Sequence, residues 1–326
     1  MLCVESIHTY DSIISVENLL GAWREFICGK RRRKDVQVFQ MNLMDNILQL
    51  HQDLKNKTYQ HGTYQAFNVS DPKPRNIHKA TVRDRLLHHA LYRCLYPVYD
   101  QTFVADSYSC RNNKGTHKAL DRFAHFARQV SVNHTKTVWV LKCDVRKFFA
   151  SIDHEILVIV LGRRITDPDT LALLVHIIQS FEVSPGKGLP LGNLTSQLLV
   201  NIYMDEFDQW IKREKKAKHY IRYADDFLIL HHDREFLVKI VRYIVLFLRS
   251  ELRLDLHPNK VSISAFASGV DFLGWVHFPH ERVLRTSTKR RVLLGLAHNT
   301  DNPIVIDSYR GLLSHGNTHR FLHPIR

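Results

Sequence analysis

Tyr220-Ile-Arg-Tyr-Ala-Asp-Asp-Phe-Leu-Ile-Leu230 sets two adjacent carboxylates, Asp225 and Asp226, between runs of β-branched and aromatic residues. Each flank has the length and composition of a short buried strand. The stretch therefore reads as a hairpin with both acids in its tight connection. A half-buried carboxylate is costly unless something cationic holds it. Where no basic partner is fixed by the sequence, a divalent metal is the usual holder, and hard oxygen ligands favour Mg²⁺. At this level an Asp-rich turn without chemistry is equally open, because Asp suits turns.

The wider composition narrows the partner. Among 326 residues, 46 Lys and Arg stand against 32 Asp and Glu, a formal net charge of +14. Such an excess points to a polyanion, with nucleic acid the leading candidate. No amphipathic basic helix with an apolar Trp/Leu face speaks for a membrane surface, and no apolar run has the length of a span. The N-terminus lacks the basic and apolar regions of a leader. Five scattered cysteines without a C-x-x-C pair read as reduced, mostly buried thiols, and the expected location is the cytoplasm. His315 and His319 read as a solvated or RNA-facing pair, since no acidic or Cys partner stands near them for zinc.

Along the chain, Lys30-Arg-Arg-Arg-Lys34 is a basic run able to contact phosphate. Phe39, Leu43, Ile47, Leu50 and Leu54 predict one face of a single helix. Tyr64 to Val69 alternates as a strand, and the helix carrying Val82 to Cys94 should stop at Pro97. Thr137 to Val145 is apolar on both faces, as a central strand is, and ends in Asp144. Asp153 or Ser151 reads as a helix cap. Helices are expected from Pro168 to Phe181, from Leu194, and across Phe236 to Leu248, with strands at Val261 to Phe266 and Phe272 to Phe278.

The resulting order is strand, helices, hairpin, helix, strand: the split βαβ sheet with helices on one face, an α+β fold. In that sheet the first strand lies beside the hairpin, so Asp144 approaches Asp225 and Asp226. Three carboxylates at one sheet edge of a basic protein suit two-metal phosphoryl transfer.

At this point the residues resemble a known family. Tyr223-Ala-Asp-Asp226 is similar to the Y-x-D-D box of reverse transcriptases, and Lys142-Cys-Asp-Val-Arg-Lys-Phe-Phe149 to their first acidic motif. Lys73-Pro-Arg75 with Asp84-Arg85, Ser107 to Gly115, His257-Pro-Asn-Lys260 and Phe272-Leu-Gly-Trp275 follow in the family's order. The resemblance implies a right-hand polymerase: a basic helical extension over 1–62, fingers and palm over 63–280, and a short helical thumb over 281–326. It implies Asp144, Asp225 and Asp226 as catalytic acids holding two Mg²⁺, which Mn²⁺ can replace, with the Val145 carbonyl as a further ligand. It implies Lys73 and Arg75 on the triphosphate, Lys260 on the nucleotide or its phosphates, and Phe149 as a gate against a 2′-hydroxyl. The implied partners are template RNA, the RNA/DNA heteroduplex and deoxynucleoside triphosphates.

The loop Gly188-Leu-Pro-Leu-Gly-Asn-Leu-Thr-Ser-Gln197 departs from many reverse transcriptases, which carry Gln at the position of Leu191 and Pro at that of Gln197. In this form it resembles the enzymes of diversity-generating retroelements, bacterial or phage-encoded, which misincorporate opposite adenine and act with a small accessory protein. Leu191 cannot hydrogen-bond a nucleotide sugar as Gln would. A phage-defence reverse transcriptase and a catalytically inactive RNA-binding scaffold are the alternatives.

Overall fold

The computed structural model describes residues 9–70, 74–299 and 302–318. In chain order its helices are α1 (Tyr10–Ile14), α2 (Val16–Phe26), α3 (Lys34–Met41), α4 (Leu43–Lys55), α5 (Val82–Asp100), α6 (Thr116–Val130), α7 (Phe148–Ser151), α8 (His154–Gly162), α9 (Pro168–Gln179), α10 (Leu194–Arg213), α11 (Arg234–Leu252), α12 (Thr286–Ala297) and α13 (Pro303–Leu313). The strands are β1 (Gln65–Val69), β2 (Arg75–Lys79), β3 (Trp139–Asp144), β4 (Tyr220–Tyr223), β5 (Asp226–His231), β6 (Ser262–Ala265), β7 (Val270–Phe272), β8 (Trp275–His277) and β9 (Arg282–Leu284). The class is α+β, as expected. Two compact units are each assembled from three segments: Met1–Val104, Arg146–Gln209 and Phe247–Asp255 in one, Ala105–Val145, Trp210–Leu246 and Leu256–Arg326 in the other.

The first unit is mainly helical. Leu19, Trp23 and Phe26 of α2 are buried, as are Ile47, Leu50 and Leu54 of α4 and Leu86, Leu87, Ala90 and Leu91 of α5. Asn18 donates to the carbonyls of Ile13 (2.8 Å) and Ala90 (3.2 Å), tying three helices together. Two expectations fail here. The single helix through Phe39 and Leu54 is broken at Asn42, whose φ of −119° and ψ of 44° leave the α region, giving α3 and α4. Helix α5 does not stop at Pro97 but runs on to Asp100. The proline forfeits one backbone bond near the helix end, and burial of Tyr96 and Tyr99 around it holds the last turn. Asp153 caps α8 as expected, accepting from the Ile156 N–H at 3.3 Å.

The second unit holds the sheet that organises the chemistry. Its four strands are all antiparallel, in the order β4-β5-β3-β6. The register sets Val140 opposite Leu230, Lys142 opposite Leu228 and Asp144 opposite Asp226. Period-two alternation puts this whole set on one face. Its apolar members pack with Leu120, Phe123 and Ala127 of α6 in one core cluster, so the face runs from apolar to acidic along β3. Truncating Phe123, which is fully buried there, would cost about 3–5 kcal/mol. A separate three-stranded sheet, β7-β8-β9, adds Phe272, Trp275 and Leu284 to the same cluster.

Candidate active site

Asp144 closes β3 and Asp226 opens β5, directly opposite each other. Such positions bring Cβ atoms about 4.5–5.5 Å apart, and like charges there repel. Burial pushes the Asp226 carboxyl up to about 6; Asp225 and Asp144 push the same way, against the opposing pull of Lys142 and Lys260. Lys260 answers part of the charge, its Nζ lying 2.8 Å from Asp144 Oδ1. The segment bearing it is anchored to the strand end, because the His257 N–H donates to the Asp144 carbonyl at 2.7 Å. Lys142 shares the face but spends its ammonium on the Asp271 carbonyl at 2.7 Å.

The hairpin differs slightly from expectation. Its two-residue connection is Ala224 and Asp225, with Asp226 already in β5. Ala224 has φ +56°, the left-handed region that two-residue hairpins require at this position and that costs a non-glycine residue about 1–2 kcal/mol. The Asp225 carbonyl accepts from the Val145 N–H at 3.1 Å, linking the turn to the residue after Asp144.

Sequence reasoning missed what holds this turn. Arg222 of β4 is fully buried, and its guanidinium donates to the Ala224 carbonyl (3.2 Å) and to Ser107 Oγ (3.1 Å). The segment around Ser107 lies along β4, with the Arg222 N–H on the Asp106 carbonyl and the Tyr108 N–H on the Arg222 carbonyl, each at 2.9 Å. A charged residue inside the apolar run Tyr220 to Tyr223 was the available signal. It marks an arginine buried for a structural purpose.

Oxygen ligands, like charges in register and a carboxyl driven upward by burial fit a hard divalent cation. Asp144, Asp225 and the Val145 carbonyl would be the groups to hold one, with Asp226 next to Asp225 in the chain and opposite Asp144 in register. Among the described residues, however, no three acidic, His or Cys side chains converge to ligand spacing. The expected meeting of three carboxylates is thus a meeting of backbone positions.

The other candidate residues belong to the first unit. Lys73 lies outside the described residues. Arg75 opens β2 and is exposed. That strand is bound to the glycine-punctuated loop: the His78 N–H donates to the Leu191 carbonyl at 3.0 Å, and Asn193 Nδ2 to the His78 carbonyl at 2.7 Å. Gly192 between them has φ +106°, and a Cβ there would sit 2.6 Å from Ile77 Cγ2, so only glycine allows this approach. Phe149 is joined to the same loop, its carbonyl accepting from the Leu189 N–H at 2.8 Å. Gln197 lines a cavity of about 370 Å³ with Lys30, Arg33, Lys79 and Arg85. Burial lowers the Lys30 ammonium, and Arg85 and Arg33 lower it further. Asp35 already pairs with Lys79 at 2.7 Å and with Arg85 at 2.6 Å, so Lys30 and Arg33 are the part of the basic run that the cavity brings together.

Residues 68–277 match the family model described as reverse transcriptase (RNA-dependent DNA polymerase). The chain belongs to the reverse transcriptase family. The matched span contains Asp144, Asp225, Asp226 and Lys260. Among curated relatives, Protein YkfC of Escherichia coli is 26% identical over 243 residues, covering 63% of each chain. The group II intron-encoded protein LtrA of Lactococcus lactis is 23% identical over 318 residues, covering 76% of this chain and 51% of LtrA. The chain therefore spans between half and two thirds of these two relatives. Telomerase structures from Candida albicans and Candida tropicalis align at TM-scores of 0.48 and 0.49, both with 11% identity, covering 68% of this chain and 46% and 48% of theirs. No helix among the described residues is long and apolar enough to cross a membrane.

Proposed function

We propose that this chain is an RNA-directed DNA polymerase that copies a template RNA into cDNA. The observation that carries the reading is the register pairing of Asp144 with Asp226, one residue from Asp225, inside the span that matches the family. Two Mg²⁺ ions, or Mn²⁺ in their place, would supply the charge that stabilises the attacking and leaving oxygens of an in-line displacement. Asp144, Asp225 and the Val145 carbonyl would hold that pair, with Asp226 in support. Lys73 and Arg75 grip the triphosphate, Arg75 by its bidentate fork. Lys260, 44% exposed in its side chain, turns from Asp144 to the nucleotide phosphates. Phe149 excludes a 2′-hydroxyl. Residues 63–280 serve as fingers and palm, 1–62 as an N-terminal extension and 281–326 as a thumb.

Within this reading the enzyme is of the error-prone, retroelement kind, working with a small basic accessory protein in a bacterial cytoplasm. Support comes from Leu191, which removes a hydrogen-bonding check on the nucleotide, and from the Gly188 to Gln197 loop that carries it. The experiment is extension of a primed RNA template with Mg²⁺ and deoxynucleotides, followed by sequencing of the products. DNA synthesis with errors concentrated opposite adenine is expected. Synthesis without that bias would remove the retroelement assignment, and no synthesis would remove the polymerase reading.

A further inference from the structure

A second cavity, of about 600 Å³, lies in the unit that holds the acids, and the proposed reaction does not use it. Phe266, Phe278 and His280 line it, with His134, Arg128 and the buried His277. Strand β3 separates it from the acids. The Phe266 N–H bonds the Val138 carbonyl just before that strand, whereas Asp144 closes it, roughly 20 Å away at about 3.3 Å per residue.

Two features mark the cavity as built. His277 is 2% exposed, yet its Nε2 has no hydrogen-bond partner, a costly arrangement that a ligand atom would repair. His134, which also lines the cavity, ends a run of three successive residues with positive φ, Val132, Asn133 and His134, at 51°, 56° and 68°. Each costs about 1–2 kcal/mol, and such strain gathers where a side chain must be presented. The turn closed by the Phe278 N–H on the Glu281 carbonyl (2.8 Å) brings His280 to 5.1 Å from the His134 ring.

The charge balance chooses the ligand chemistry. Arg128 and Arg282 face Asp121 and Glu281, and Asp121 already pairs with Arg282 at 3.4 Å. With two cations against two anions this is no phosphate pocket. Its lining combines the rings of Phe266, Phe278, His134 and His280 with hydrogen-bonding side chains such as Asn317 and Arg128, the combination a nucleobase needs. The volume suits one base with its sugar. We propose that this cavity takes an unpaired base of a bound RNA strand, away from the polymerising centre. The inference rests on the reading that the chain works on RNA. The net charge of +14 supports a strand over a free nucleotide, because the backbone beyond the pocket can then be held by the basic surface.

The test is equilibrium binding of an RNA whose unpaired stretch carries 4-thiouridine, without metal or deoxynucleotides, so failure of the polymerase reading leaves it intact. Ala124→Trp fills the cavity and His280→Ala removes a ring. Either should weaken unpaired RNA about tenfold, the loss of one stacked base, while leaving affinity for a paired RNA/DNA duplex of equal length unchanged. Photocrosslinks should map to Phe278, His280 or His134. Unchanged affinity in both variants, or crosslinks only elsewhere, would overturn the proposal. Equal weakening toward the duplex would overturn it too, and so would binding of AMP in the cavity with RNA affinity unaffected, which would assign it to a free nucleotide.

Discussion

Replacing Arg222 by Met keeps an unbranched apolar stem and removes the charge and all the donors. The Ala224 carbonyl and Ser107 Oγ then lose partners at 3.2 and 3.1 Å inside the protein. Hydrogen bonds to a charged group contribute about 1.5–3 kcal/mol each, and the apolar replacement recovers part of that, so a net loss of about 2–4 kcal/mol is expected. The larger effect should be on catalysis. The Ala224 carbonyl belongs to the peptide that leads into Asp225, and Ala224 sits in a left-handed conformation that relaxes once its carbonyl is released. A displacement of about 1 Å at a reacting centre costs on the order of 100-fold in rate. Urea unfolding should show the lowered stability, and single-turnover primer extension should show kcat reduced on that order with little change in KM for deoxynucleotide. Arg222→Lys, which keeps the charge without the fork, should fall between. A folded Arg222→Met protein with unaltered kcat would show that the turn holds itself, and would refute this reasoning.

Phe149→Val should let ribonucleotides in, raising their incorporation about 10- to 100-fold relative to deoxynucleotides as steric exclusion is lost; unchanged sugar selectivity in competition assays would remove Phe149 from the gate. Leu191→Gln should restore a sugar contact worth about 1–3 kcal/mol and lower errors opposite template adenine; sequencing that shows an unaltered error rate would place fidelity elsewhere. Acid should destabilise the protein through His88 and His277, both held near 3 by burial first, with His61 adding to the effect at His88 and Arg282 at His277. Their folded values lie below the unfolded value of about 6.5, so the unfolded chain binds the extra protons; stability is full above about pH 6.5 and falls by about 2 kcal/mol per residue by pH 5. Urea titrations at pH 7 and pH 5 check this, and His277→Gln should flatten the difference.

What could be read from the chain was whatever repeats with a period. The apolar run into Asp144 and the flanks of Asp225 and Asp226 gave their strands away because burial on a pleated sheet forces a recognisable pattern. Their neighbourhood followed from the order of elements, and the register of β3 with β5 bears it out. Features without a period were less legible. Nothing in the spacing of Phe39 to Leu54 announces the break at Asn42, where a single residue leaves the helical region. Pro97 suggested a stop that aromatic burial overrides. Arg222 was visible only as an anomaly in an apolar run, since its side-chain partner Ser107 comes from a segment far away in sequence. The ion pair of Lys260 with Asp144 was likewise hidden: both residues were candidates, but their contact depends on the His257 backbone closing onto the strand end.

The claim everything else depends on is that the acids at the end of β3 and in the hairpin carry out polymer synthesis. Asp225→Asn is nearly isosteric and removes one negative charge from the turn without removing its backbone bond to Val145. Primer extension on an RNA template with Mg²⁺ should be reduced by at least about 1000-fold, the loss of several kcal/mol of charge stabilisation, while RNA binding and folding are retained. Substantial DNA synthesis by the Asp225→Asn protein would contradict the account.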